Sequence, residues 1–102
     1  MNDIDKWCAE QCGVNIIYSM TDYPYWNYKG VNYEYDWTIT DPQCREIVRE
    51  RFRILTSPAS NSNLWVSESR PFISGKELPY PSKTIAEAEI ACITAIYEAR
   101  DE

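Results

Sequence analysis

Histidine is absent from the chain. That removes the commonest general base and the usual partner of a serine or cysteine nucleophile. Glycine is nearly as scarce: the three glycines stand alone at positions 13, 30 and 75, so no glycine-rich loop can cradle a phosphate. No apolar run approaches the roughly 20 residues that span a bilayer. The opening MNDIDKW has neither a basic nor an apolar leader segment, so no secretory signal is expected and the expected location is the cytoplasm.

Four cysteines are present, at 8, 12, 44 and 92. In a reducing cytoplasm they are expected to be free thiols. Without histidine, zinc would need all four thiolates, and the four-residue step from Cys8 to Cys12 is not the usual ligand spacing. Each cysteine falls on an expected buried helix face, where a thiol behaves as a small hydrophobe. Neither metal nor cofactor is implied. Glu34 and Asp36 form a carboxylate pair on one strand face, which could serve acid–base chemistry or a metal, but like charges on a solvated strand are usually only that.

Charge of one sign dominates: 16 acidic residues face 10 basic ones, a net charge of −6. Residues 44 to 53 hold four arginines and two glutamates, so the rest of the chain carries −8. Such a field repels nucleic acid and anionic membranes and steers the chain toward basic protein surfaces; it also keeps a small protein soluble. At 102 residues the length suits one globular domain, 1–102, burying roughly two thirds of its unfolded surface.

The clearest architectural signal is the stretch from Val31 to Phe52. Val31, Tyr33, Tyr35, Trp37 and Ile39 alternate with Asn32, Glu34, Asp36 and Thr38, as on a half-buried strand. Behind Thr40-Asp41-Pro42 the apolar residues become Cys44, Ile47, Val48 and Phe52, one stripe of a helix expected over Pro42–Leu55. Asp41 can cap it with Pro42 at the first position, or Thr40 can cap with Gln43. On its polar side Arg45, Arg49 and Arg53 stack beside Glu46 and Glu50. The expectation there is a solvated face with weak ion pairs, or a small docking patch.

Elsewhere, Asn2 or Asp3 can cap a first helix whose stripe is Ile4, Trp7, Cys8 and Cys12, stopped by Gly13. Val14–Tyr18 reads as a strand, and Tyr23–Tyr28 as another whose Pro24 favours an edge or a strand start. Lys29-Gly30 turns that strand into the next. Ser57–Asn63 is a polar loop; Leu64–Val66 and Pro71–Ser74 are short extended pieces able to pair. Thr84 and Glu87 open a last helix with Ile85, Ala88, Cys92, Ile96 and Ala99 on its stripe. The expected fold is α+β: an antiparallel sheet packed by three helices, α/β/α sandwich-like, in the order α-β-β-β-α-β-β-α.

The junction DWTITDP leading into the second helix, the closing IACITA and the N-terminal Trp-bearing helix resemble the phage ABA-sandwich domain family of small phage and prophage proteins. Two departures stand out: Thr-Asp-Pro replaces the expected Pro-first order, and the Tyr-rich hairpin is longer and more aromatic. The resemblance implies helices on both faces of an antiparallel sheet and a phage origin, and brings no active site.

The run Tyr23, Tyr25, Trp26, Tyr28, Tyr33, Tyr35, Trp37 lies either beneath the helices or on an exposed aromatic patch suited to protein contacts. Base stacking needs a basic groove, and Glu34 and Asp36 have the wrong sign for one. The leading expectation is a non-enzymatic phage accessory protein that binds a host protein, of the anti-defence, anti-CRISPR kind that covers a basic nucleic-acid-binding surface. Tyr25, Tyr28, Glu34 and Asp36 are the expected contact residues, with no direct nucleic-acid or membrane binding. The rival readings are an oligomerisation module, a homodimer paired through the Tyr-rich hairpin, and a small-ligand-binding domain.

Overall fold

The structure, a computed structural model, describes residues 2–17, 25–60, 63–69 and 81–100. Its elements run α1 (Asp3–Cys12), β1 (Asn15–Ile17), β2 (Tyr25–Tyr28), β3 (Val31–Tyr33), α2 (Pro42–Phe52), β4 (Ile54–Pro58), β5 (Trp65–Ser69) and α3 (Ile85–Ala99). The class is α+β and the order is the expected one. Among the described residues the strands divide into two antiparallel sheets, β1-β2-β3 and β4-β5.

Each helix starts where a short polar side chain can take an orphan amide hydrogen. Asn2 accepts from Asp5 N at 2.9 Å, Asp41 from Cys44 N at 3.0 Å and Thr84 from Glu87 N at 3.0 Å, each worth about 1 kcal/mol. Gly13 ends α1 at φ 72°, where a side chain would be strained. The β2–β3 turn places both Lys29 (φ 51°) and Gly30 (φ 82°) at positive φ, the combination that matches the strands' right-handed twist.

Several boundaries differ from those expected. The extended segment after Val31 stays in a ladder only to Tyr33, yet burial keeps alternating: Trp37 and Ile39 are buried, Tyr33 and Tyr35 half-buried, Glu34 and Asp36 exposed. Beyond Tyr33 the segment is held by α1 instead of by a strand. The Trp37 indole N–H donates to the Asp5 carbonyl at 2.8 Å, and Ile39 N to the Asp5 carboxylate at 2.8 Å.

The second helix stops at Phe52, not Leu55, because Arg53 turns left-handed at φ 53°. Ile54–Pro58 then forms β4, a strand the helical spacing had concealed, and it shortens the expected loop. β5 runs on through Ser67-Glu68-Ser69, past the expected strand end at Val66, and pairs with β4 from Ile54↔Ser69 to Pro58↔Trp65. Tyr18, Tyr23, Pro24 and the expected strand Pro71–Ser74 lie outside the described residues. Ile85, expected on the buried stripe, is 44 % exposed.

One apolar cluster draws on all three helices: Cys8, Trp26, Trp37, Cys44, Val48, Phe52, Ile54, Cys92, Ile93 and Ile96 are buried together. Trp7 joins the helices, stacking on Phe52 and meeting Tyr97 edge-on, both at 5.5 Å between centroids. The Ala-rich α3 packs chiefly on β5, and also on β4, α2 and α1. Small residues bring it close to the sheet, where Thr56 and Ser67 share a 2.6 Å hydrogen bond and Ser69 donates to the Phe52 carbonyl. Buried hydroxyls there are thus satisfied.

Candidate interaction surface and charged cleft

The pleat of the three-stranded sheet sorts the aromatic run. In register, Ile16, Trp26 and Tyr33 form one row on the core side, and Asn15, Asn27 and Asn32 form the next row on the opposite face. Trp26 is fully buried. It stacks on Tyr33 at 4.0 Å and meets Trp37 and Tyr35 edge-on at 5.1 and 5.7 Å, spacings favourable to aromatic pairs. Trp26 and Trp37 are therefore core residues, with Tyr33 and Tyr35 packed against them. The Trp26 indole N–H has no hydrogen-bond partner among the described residues.

The four residues singled out as contacts fall on different sides. Tyr28 shares the core side with Trp26, packs against the core and has Lys29 Nζ 5.2 Å from its ring centroid. Tyr25 lies on the opposite face, half-buried and in register with Ile17. Glu34 and Asp36 are exposed on either side of the inward-turned Tyr35. Neither carboxylate has an ion-pair or hydrogen-bond partner among the described residues. On Tyr25's face the Asn27 amide donates to the Asn32 side chain at 2.8 Å. Of the described helices, α1 makes the main contact with this sheet.

The Asp41 corner is electrostatically tight. Burial on its own would raise the Asp41 carboxyl, but the Cys44 amide and the Tyr35 hydroxyl, at 3.0 and 3.2 Å, hold it below the usual carboxylate range. The Tyr35 hydroxyl also lies 2.8 Å from Gln43 Oε1. Burial, with Cys44 and Asp41 nearby, pushes that phenol above its ordinary range.

The four thiols are unbridged. Burial pushes Cys8, Cys44 and Cys92 up to about 12 and Cys12 up to about 11. At neutral pH all four are protonated and poor nucleophiles. No cluster of three or more potential metal ligands occurs among the described residues, and no helix among them is long and apolar enough to cross a membrane.

The basic ridge of α2 departs most from expectation. Arg45 is buried, its Nε 3.4 Å from Glu89 Oε1 on α3 and its Nη1 donating to the carbonyls of Ile39 and Thr40 at 3.2 Å. Arg49 Nη1 reaches the other Glu89 oxygen, also at 3.4 Å. Arg45 and Arg49 pair with Glu89 of α3 rather than with Glu46 and Glu50. Glu89 is masked in the sequence by the apolar residues around it on α3. The available signal was its position: four residues after Ile85, and three and four before Cys92 and Ile93, it is a charge inside an apolar stripe. Asp5, between Ile4, Cys8 and Ala9 on α1, carries the same signal.

The chain matches no family model, no curated protein and no solved structure.

Proposed function

We propose that this chain is a small, acidic, non-enzymatic accessory protein of phage or prophage origin that works in the host cytoplasm by binding a host protein. Its partner class is a protein with a basic, nucleic-acid-binding surface, which the chain covers as an anti-defence inhibitor. The observation that carries this reading is the exposed pair Glu34 and Asp36, which no cation among the described residues neutralises. Unpaired carboxylates on an acidic chain steer encounter with a basic surface and give it specificity. Tyr25, half-buried on the face opposite Trp26, adds the apolar area and polar tip typical of interface anchors. Tyr28 would contribute through its edge at the hairpin end.

The non-enzymatic part rests on the missing histidine and on thiols held protonated by burial. The phage origin rests on the family resemblance of the Trp-to-Pro corner and the Ala-rich closing helix. The homodimer reading draws less support, because β3, an edge of the sheet among the described residues, offers only three residues and an edge that short is a poor template for pairing.

The test is affinity capture from a host lysate with the wild-type chain and with a Glu34→Lys/Asp36→Lys variant, read side by side. A basic protein retained by the first and lost by the second supports the reading. Equal retention of every captured protein by both refutes it.

A further inference from the structure

We propose that the cleft between α2 and α3 is a binding site for one carboxylate group, gripped by Arg45 and Arg49. It has a volume of about 250 Å³ and is lined by Pro42, Arg45, Glu46, Arg49 and Glu89. Arg45 is fixed in place: its side chain is 9 % exposed, and Nε and Nη1 are spent on Glu89 and on two backbone carbonyls. Its Nη2 has no partner among the described residues. Nor is that atom one of the fully buried polar atoms without a partner. An unpartnered nitrogen that is not sealed off, on a residue lining a cleft, presents its donors to the cleft.

Arg49 sits one turn further along the same helix face, 42 % exposed, with Nη1 alone engaged. Two guanidinium groups thus converge with donors to spare, one rigid and one able to adjust. Glu89 is a single carboxylate shared between them at 3.4 Å on each side, so it offsets one of the two positive charges. The second is left to the cleft, tempered by the exposed and movable Glu46 at the rim.

The charge balance selects the ligand. A planar monoanion can take the parallel Nε–H and Nη2–H donors that Arg49 keeps free, with a further N–H from Arg45 Nη2. A phosphate dianion would bring a second negative charge against Glu89 and Glu46 in a chain of net charge −6. The ligand is therefore a carboxylate, supplied either by a small organic acid or by an acidic side chain of a polypeptide. The site shares no residue with the Glu34/Asp36 surface, so each proposal can fail without the other.

Two-dimensional NMR of the arginine N–H groups in the full chain reads the site directly. Acetate and N-acetyl-aspartate amide are titrated at constant ionic strength held with chloride, with inorganic phosphate as the competing arm. Arg45 and Arg49 signals shift and saturate; Arg49→Gln weakens binding about tenfold or more, the loss expected for a charge-assisted pair. Arg53→Gln, outside the cleft, leaves it unchanged. Tighter binding of acetate assigns the site to small acids, and tighter binding of the aspartate amide to a polypeptide side chain. Non-saturating shifts, wild-type affinity in Arg49→Gln, or phosphate binding as tightly as carboxylate would each overturn the proposal.

Discussion

The carboxylate of Asp5 accepts the amide hydrogen of Ile39 at 2.8 Å, across 34 positions of sequence. The same residue's carbonyl takes the Trp37 indole N–H. One residue of α1 thus holds the extended segment that delivers the chain from the aromatic sheet to the cap of α2, and Asp5 itself is 5 % exposed. Removing the carboxylate leaves a buried amide unsatisfied, so Asp5→Ala should cost about 2–3 kcal/mol. Asp5→Asn, which keeps an acceptor oxygen, should cost less. Urea denaturation of the two variants checks the order.

The two buried tryptophans differ in one respect. Trp37 donates a hydrogen bond, whereas Trp26 has no partner among the described residues. Replacement by Phe shrinks both rings alike, but only Trp37→Phe removes a buried hydrogen bond, the one from the indole to the Asp5 carbonyl. Trp37→Phe should therefore exceed Trp26→Phe by about 1 kcal/mol, the net worth of a hydrogen bond. Equal costs in thermal or chemical unfolding would show that the Asp5 carbonyl is not relying on the indole.

Arg53 ends α2 in the left-handed region without being glycine. That conformation costs an ordinary residue roughly 1–2 kcal/mol, and glycine adopts it freely at an entropic cost of roughly 0.5–1 kcal/mol. Arg53→Gly should be neutral to about 1 kcal/mol stabilising, visible as a raised Tm.

That residue also explains what the sequence hid. The start of α2 was legible because Asp41-Pro42 is a local signal, a cap followed by a pre-set φ. Its end was not, because the stop is an arginine, and Leu55 continues the spacing of Val48 and Phe52. β4 was hidden as a result, and with it the division into two sheets, since β5, which follows across a short loop, was left without the strand it pairs with. From Tyr33 to Ile39 the inward side was readable from alternation, but not at Val31, which is 52 % exposed. The charged cleft was only half visible: the arginine ridge shows in the spacing of α2, whereas its Glu89 partner arrives from a helix 40 and more residues away.

Stability should fall at both ends of the pH scale, for different groups. The Asp41 carboxyl is depressed in the folded chain, so it contributes stability above its unfolded pKa and loses it as pH drops through the folded value. The thiols are raised, so their contribution is complete below the ordinary thiol pKa of 9.0 and disappears as pH climbs toward about 12. Asp41→Asn should flatten the acid limb, while Cys44→Ala, at a fixed packing cost, should flatten part of the alkaline one. Thiol-labelling rates give a second check: Cys8, Cys44 and Cys92 should react only as fast as the chain opens.

The acidic surface stands or falls on how a captured partner's affinity responds to charge and to salt. The dissociation constant is measured for the wild-type chain and for Glu34→Lys/Asp36→Lys at low and at high ionic strength. Reversal of both charges should weaken binding about tenfold or more at low salt, that is about 1.4 kcal/mol or more, with the gap narrowing as salt screens the surface. Identical constants for the two chains at both ionic strengths would contradict it.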